Sequence, residues 1–595
     1  MLRLPLSSVL FATLLGAAAS AQSTTRISLD SAGAQSSGDS VVARISGDGH
    51  WVVFQSQAPS LVAGDTNARS DVFVRDLGAG LTLRVSVDSA GLQGNEDSRY
   101  GAISADGRFV AFESQATNLV AGDTNGSPDV FVHDRQSGQT TRVSVGAGGA
   151  QGEQGSYQPT ISADGRYVCF FSYAGNLVPG DTNLESDVFV HDRATGQTTR
   201  VSLGTGGVQA DEGCYQAAIS ADGGWIAFGS RATNLVAGDM NGLEDVFVHE
   251  RATGVTQRVS VDSAGAEAAG LSFMPALSAD GQRVAFVSSA ANLVAGDTNN
   301  ALDVFVHDLA GGLTQRVSLS SAGQQGNFDS GWRAAYFVGP ALSPDGQLVA
   351  FSSAATNLVA GDSNNRRDVF LRDLQLGVTT RASLSTGGLQ GSGDSESPSI
   401  AEDGRSLVFH SASSNLVSGD TNSAQDVFLR YSGIPPFRFC FGDGTQATPC
   451  PCGNSGLAGN GCDNSIGSLG ASLSTTGTQV PDTIVLLAQG ELPTSLSIFL
   501  QGNADLAVGV PFGDGVRCVG GTLKRLYVHN AVNSTVSAPV AGDLSITAQS
   551  ALLGDPIAPG TSRSYQVYYR DPNASFCPAP TGGNWNVTSA VHIDW

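Results

Sequence analysis

Apolar and polar residues alternate along most of this chain in runs of four to six, and the runs are separated by clusters of Gly, Asp, Asn, Ser and Thr. A period of two marks half-buried strands, and such clusters mark turns. The stretch from Tyr157 shows the unit. Pro159-Thr160-Ile161-Ser162 reads as a short strand, Ala163-Asp164-Gly165 as a tight turn, and Tyr167–Ser172 as a second strand. After a long loop Asp187–Asp192 gives a third strand, Arg193–Gln197 turns the chain, and Thr198–Leu203 is the fourth. No unit carries the three- and four-residue apolar spacing that a helix needs.

The unit repeats. Its marker is Asn118-Leu119-Val120-Ala121-Gly122-Asp123-Thr124-Asn125, followed by Asp129-Val130-Phe131-Val132. The leading aspartate recurs at Asp65, Asp123, Asp181, Asp239, Asp297, Asp362 and Asp420, in steps of 58 with a single step of 65. A period this long means a solenoid, a propeller or an array. Four short antiparallel strands per unit select the propeller. The repeat region opens on Thr24–Leu29, which matches the fourth strand, and the last unit stops after Arg430 without one. These permuted ends predict an all-β, seven-bladed β-propeller closed by the N-terminal strand, which would leave no free sheet edge.

The turn between the first two strands reads Ser-Ala-Asp-Gly from Ser104, Ser162, Ser220 and Ser278, with variants from Ser46, Ser343 and Ala401. On this turn and the apolar strand after it, the repeat resembles the PD40 or TolB-like (WD40-like) propeller family. The resemblance spans all seven units, about two thirds of the chain; only the Ser343 copy has the family's proline, and TolB-type propellers usually have six blades. It implies binding and scaffolding rather than a defined chemistry.

Composition adds the setting. Residues 1–21 carry Arg3, an apolar stretch near Val9 to Ala18 and Ala19-Ser20-Ala21, the pattern of a secretory signal peptide. The protein is therefore expected to be secreted, or exported to the cell surface or periplasm, with no transmembrane segment. A formal charge of −23 disfavours nucleic acid and anionic lipid. Three parts are expected: the signal peptide, a propeller over 22–432, and a smaller C-terminal domain over 433–595. Pro435-Pro436 marks that boundary. Beyond it lie Cys440, Cys450, Cys452, Cys462, Cys518 and Cys577, an even set that in an exported chain reads as disulfides of undetermined pairing. With runs such as Thr483–Leu487 and Tyr565–Arg570, the domain reads as a disulfide-linked β-sandwich. It resembles a C-terminal module of secreted bacterial proteins, a likeness that implies no activity.

Candidate chemistry sits on the face that carries the long loops, the default binding face of such a scaffold. Each loop holds an aspartate, an asparagine two residues on and an aspartate six residues on. The sets are Asp65, Asn67, Asp71; Asp123, Asn125, Asp129; Asp181, Asn183, Asp187; Asp239, Asn241, Asp245; Asp297, Asn299, Asp303; Asp362, Asn364, Asp368; and Asp420, Asn422, Asp426. One reading makes them up to seven weak calcium sites, since calcium takes six to eight oxygens. The other makes them caps of their own loop backbone. The position four after the first aspartate (Arg69, Ser127, Glu185, Leu243, Ala301, Arg366, Ala424) offers a side-chain oxygen in only two copies, which favours capping. No cofactor is required on either reading.

His133, His191, His249 and His307 share one strand position with Arg75, Arg372 and Arg430, so a structural role is expected there. The seven extra residues before the sixth unit bring Asp329, Trp332, Arg333, Tyr336 and Phe337 together, and these are the expected partner contacts, since aromatics and arginine dominate hot spots. No nucleophile elbow, zinc helix, phosphate loop or dinucleotide fingerprint occurs. The chain therefore reads as a non-enzymatic scaffold for a protein or glycan, with an extracellular polysaccharide hydrolase or lyase as the alternative.

Overall fold

The computed structural model describes residues 23–331, 338–402, 404, 406–431, 437–439, 450, 461, 462, 464, 465, 470–476, 482, 484–512, 515–557, 562–571 and 585–594. They fall into two compact units, Ser23–Ser432 and a second that holds Gly433–Trp595.

The first unit is built of four-stranded antiparallel sheets, seven among the described residues. The third has Ser156–Ile161, Tyr167–Ser172, Asp187–Asp192 and Gln197–Arg200 in spatial order. The second and third strands have the bounds that the alternation predicted, the fourth is shorter and ends at Arg200, and the first begins earlier, at Ser156, because Ser156 pairs with Ser172. The seventh sheet takes its outer strand from the other end of the chain: Ser23–Arg26 pairs with Asp426–Tyr431 in the register Ser23↔Tyr431 to Arg26↔Phe428.

Neighbouring sheets bury the apolar faces that alternation gives them. In each sheet a phenylalanine of the second strand stacks on one of the third, as Phe54 on Phe73 at 5.8 Å and Phe170 on Phe189 at 6.0 Å, all fully buried. Burial of one such ring is worth about 2–3 kcal/mol. Val53, Val72 and Val74 of the first sheet meet Phe112 and Phe131 of the second. Ala401, Val408 and Val427 of the seventh meet Phe54 and Phe73 of the first. The first strands of all seven sheets line one channel of about 380 Å³.

The Ser-Ala-Asp-Gly turns explain themselves locally. Ser104 Oγ donates to Asp106 Oδ1 at 2.6 Å and accepts from the Phe109 N–H, and Gly107 sits at φ 70°, where a side chain would also strike the Trp51 ring. The turns are tied to one another by backbone bonds. Glu402 N–H donates to Gly47 O, Asp48 to Ala105, Ala105 to Ala163, Ala163 to Ala221, Ala221 to Ala279 and Ala279 to Pro344, all at 2.9–3.0 Å. Pro344 has no N–H, so the succession has no bond from Pro344 to the seventh turn.

In the second unit a five-stranded sheet, ordered Phe437–Phe439, Trp585–Asp594, Ser562–Arg570, Leu496–Gly502 and Lys524–Asn530, shares a core with the three strands Ser472–Thr476, Val485–Gln489 and Thr535–Ala538. Leu473, Leu486 and Val536 meet Phe499, Tyr565 and Val591 there. Among the described residues of this unit a short helix, Ile546–Leu552, departs from the strand-and-turn reading; Ser545 caps its start and Ile546 inserts into the core. Cys450 and Cys462 form a disulfide, and Cys518 is also disulfide-bonded. Cys440, Cys452 and Cys577 lie outside the described residues, as do residues 1–21.

Candidate binding site

Each loop aspartate pair is held around an arginine. The guanidinium of Arg84 lies 3.2 Å from both Asp65 and Asp71, and Arg142, Arg200, Arg258, Arg316, Arg381 and Arg26 repeat the arrangement at 3.1–3.7 Å. The second aspartate also accepts a serine hydroxyl, as Asp71 does from Ser86 at 2.6 Å. Asn67 Nδ2 donates to Asp71 and to Gly94 O, while its Oδ1 accepts from Arg69 N–H. The asparagine thus caps its loop, and a guanidinium stands between the carboxylates. The fourth copy differs, because Glu267 replaces the glutamine found at Gln35, Gln93, Gln151, Gln209, Gln325 and Gln390. There Asp239, Asp245 and Glu267 converge within 4.8 Å around Arg258, and burial pushes Asp239 up to about 7. Among the described residues this is the one convergence of three such ligands.

The strand histidines are internal. His133, His191, His249 and His307 bond through Nδ1 to Thr140, Thr198, Thr256 and Thr314 at 2.8–2.9 Å. Arg75, Arg372 and Arg430 donate to Thr82, Thr379 and Thr24 at 2.9–3.0 Å in the same place.

The positions that change from sheet to sheet lie at the entry end of the first strands. In six sheets that strand carries one extra residue opposite its neighbour, and the bulge residue is left-handed: Val42, Tyr100, Gln158, Gln216, Met274 and Ser397, at φ 48–56°. Non-glycine residues held so cost about 1–3 kcal/mol each and gather at functional sites. The bulge N–H needs an acceptor from the preceding sheet. Tyr100 N–H donates to Gln55 Oε1 at 3.0 Å, Gln158 N–H to Glu113 Oε2 at 2.9 Å, and Val42 N–H to His410 Nδ1 at 3.4 Å. In the third and fourth sheets the acceptor position is Phe171 and Gly229, which cannot serve, and Gln216 Oε1 takes the Met274 N–H at 3.1 Å instead.

Three consecutive sheets break the pattern elsewhere as well. Asp39, Asp97, Asp329 and Asp394 each accept a backbone N–H of the neighbouring sheet at 2.8–3.1 Å, but the equivalent residues here are Gly155, Gly213 and Leu271. The result is a pocket of about 570 Å³ lined by Gln158, Phe171, Tyr173, Tyr215, Gln216, Arg231, Glu244, Leu271, Phe273 and Leu302. Tyr157 stacks on Phe171 at 5.3 Å, and Tyr173 stands edge-on to both, at 82° and 76°. Glu244 is 9% exposed, and its Oε1 is buried with no hydrogen-bond partner. Burial pushes its carboxyl up to about 7 against the pull of Arg231 and Tyr215. A cavity that is apolar with a few convergent polar groups is the usual form of a ligand site.

Within the channel itself Arg44 stands where Ala102, Thr160, Ala218, Ala276, Ala341 and Ser399 stand in the other sheets, and burial lowers its pKa to about 10. Of the expected partner contacts, Asp329 does the same backbone work as Asp39, Asp97 and Asp394, and nothing sets it apart. Trp332, Arg333, Tyr336 and Phe337 lie outside the described residues. Ser330 keeps the inner-strand bond of its equivalents, to Ser353 at 2.8 Å, and the strand resumes at Ala341–Leu342. Ser272 and Ala276 are four positions apart in the fifth sheet, whereas Ser330 and Ala341 are eleven apart, so the seven additional positions fall between Ser330 and Ala341. The pocket residues escaped the sequence reading, which compared the copies at their recurring markers; reading one position across all seven would have exposed them.

No protein-family model matches the chain, and no curated protein matches it. Solved structures that match it are TolB-like propeller proteins. TolB of Acinetobacter baumannii is 16% identical with a TM-score of 0.32, over 58% of this chain and 63% of that one, so the chain spans less than two thirds of its length. An oligogalacturonate lyase in complex with manganese is 11% identical with a TM-score of 0.42, over 70% and 94%. A putative TolB from Agrobacterium tumefaciens is 15% identical with a TM-score of 0.32, over 59% and 93%. Among the described residues no helix is long and apolar enough to cross a membrane.

Proposed function

We propose that the protein is exported and that residues 22–432 form a closed seven-bladed propeller, a non-enzymatic scaffold that takes a protein or glycan ligand in the aromatic pocket of the third to fifth sheets. Closure is supported by the pairing of Ser23–Arg26 with the last sheet and by the Glu402–Gly47 link. The observation that carries the binding reading is where the pocket lies: a ring of equivalent sheets has no reason to lose its aspartate caps in three neighbours, and its bulge acceptors in two of them, unless that sector does something the others do not. Residues 433–595 form a separate disulfide-linked β-sandwich on this reading, supported by the core its two sheets share. A divalent cation is not required; the fourth loop, with Asp239, Asp245 and Glu267, is its best-supplied seat.

The test is a glycan and protein binding screen of the mature chain beside Tyr215→Ala. Capture by the parent and loss of at least tenfold in the variant, with an unchanged melting temperature, is the expected result. Equal capture by both removes the pocket from the function. The hydrolase or lyase reading has one observation in its favour, a Glu244 carboxyl held near 7 as a general acid would be. A glycosidase needs a second carboxylate, and the described lining of the pocket holds only Glu244. Turnover of any glycan captured in the screen would establish that reading.

A further inference from the structure

Resting on the pocket reading above, we infer that the ligand group the pocket receives is an organic cation, an alkylammonium, seated among the aromatic rings with its charge on Glu244 Oε1.

Four features of the pocket converge on this chemistry. The carboxylate comes first. Glu244 stands where the other sheets have Ser70, Pro128, Ser186, Leu302, Arg367 and Gln425, so the acid belongs to this pocket and not to the repeat. Its Oε1 is buried and unpartnered, and an acceptor left so costs about 1–3 kcal/mol, more when charged. A donor brought by the ligand relieves that cost, and a cationic donor relieves the most, because a charge-assisted bond is about twice as strong as a neutral one. The second feature is room. Gly229 places no side chain beside the acid, and a Cβ there would fall 3.0 Å from Glu244 Oε1 and 3.7 Å from Gln216 Oε1.

The third is the wall. Phe171 and Tyr173 meet nearly at right angles, Tyr157 stacks on Phe171, and Tyr215 and Phe273 line the remainder, so four aromatic side chains line one volume. Ring faces attract cations, by more than about 2 kcal/mol where water is excluded. The fourth is the field: a chain of charge −23 draws cations toward its surface. Arg231 is the opposing charge on the pocket. It is exposed, and it makes no ion pair with Glu244 among the described contacts, so it lowers the local field without occupying the seat. A neutral sugar would satisfy the rings but would leave the acid desolvated with only a hydroxyl against it.

An alkylammonium reaches such a site either as a lysine side chain or as the amine of an amino sugar, and calorimetric titration can separate them. The probes are Nα-acetyl-lysine methylamide and glucosamine, each paired with its N-acetylated counterpart, which keeps the shape and removes the charge. Binding of one free amine at least tenfold more tightly than its acetylated partner, lost at least tenfold in Glu244→Gln, is the expected result; which amine binds names the source. Gly229→Ala, which keeps the charge and takes the room, should weaken the same amine severalfold. The affinity should also rise from pH 6 to pH 8 as Glu244 ionises, with Arg231, Tyr215 and Asp245 the groups that face it. Equal binding of free and acetylated probes, or full binding by Glu244→Gln, overturns the cation while leaving the pocket reading intact. Failure of every probe overturns it too, and the Tyr215→Ala comparison in the binding screen then judges the pocket alone.

Discussion

The outer loops of the seven sheets and the inner rim of the third to fifth sheets obey different rules. In the loops, one arginine, two aspartates, an asparagine and a serine recur seven times with the same partners, so that Asp187 with Arg200 and Ser202 superposes in function on Asp303 with Arg316 and Ser318. At the rim, one position reads Gln55, Glu113, Phe171, Gly229, Val287, Ser352 and His410. Identity across copies is what packing and buried charge demand of every sheet alike. Divergence among copies of one chain, held in the same backbone, is where a single site can be built. The comparison makes a chemistry such as calcium at all seven loops hard to distinguish from plain architecture, and makes the one aromatic sector easy to distinguish from it.

The largest expected effect breaks the recurrent half. Asp187 is fully buried, and its loss leaves the Arg200 guanidinium with one of its two carboxylate partners, both of which stand at 3.1 Å. Asp187→Ala should cost about 3–5 kcal/mol, read as a fall in Tm, and Asp303→Ala in another sheet should cost a like amount. Arg231→Ala, at an exposed position that varies, should stay within about 0.5 kcal/mol. A small loss from Asp187→Ala would mean that recurrence in this chain does not report structural need.

Much of the architecture was legible because it depends on what every unit must do. The alternation in Tyr167–Ser172 buries Val168 and Phe170, the Ser-Ala-Asp-Gly turn bonds itself, and Thr24–Leu29 displays its match to a fourth strand openly. The pocket was not legible in the same way. Phe171, Tyr215 and Glu244 are far apart in sequence, and each alone passes for an ordinary strand residue. Only the register of the sheets brings them to one cavity, and only the bulges turn Gln158 and Gln216 toward it. The aromatic insertion drew attention because it broke the period, while the substitutions that line the pocket kept it.

A finer test uses one copy to interpret another. Gln55 and Glu113 do the same work, each accepting the N–H of a bulge residue, but one is neutral and the other an acid whose burial raises it to about 7. A carboxyl raised above its ordinary 4.5 binds its proton more tightly when folded. Its contribution is therefore complete below about 4.5 and is lost as pH rises through 7. Glu113→Gln should match the parent in stability at pH 4 and exceed it at pH 8, by up to about 3 kcal/mol and read as a higher Tm, since the amide keeps the bond without the charge. A variant less stable at pH 8 would show that the charge on Glu113 is wanted, and would move that residue from the recurrent group to the functional one.

The smallest effect concerns the turns at the far end of the channel. Pro344 is the second residue of its turn, where proline suits the backbone, and Gly346 N–H still donates to Ser343 O at 2.8 Å. What the proline forfeits is the bond that the equivalent Ala163 makes to Ala221 at 2.9 Å. Pro344→Ala regains a hydrogen bond worth about 0.5–1.5 kcal/mol and frees an unfolded chain that proline had restricted by about 0.4–1 kcal/mol. The two nearly cancel, and the stability read from the Tm should change by less than about 0.5 kcal/mol. Ala163→Pro has only the first of these to lose and the second to gain, so it too should be mild if each link acts alone. If the links act as one cooperative circuit, the asymmetry appears: Ala163→Pro opens a second gap and should cost about 1–2 kcal/mol, while Pro344→Ala closes the existing one and stabilises. Thermal melts of the two variants and their double mutant distinguish these outcomes, because independent links add and a circuit does not.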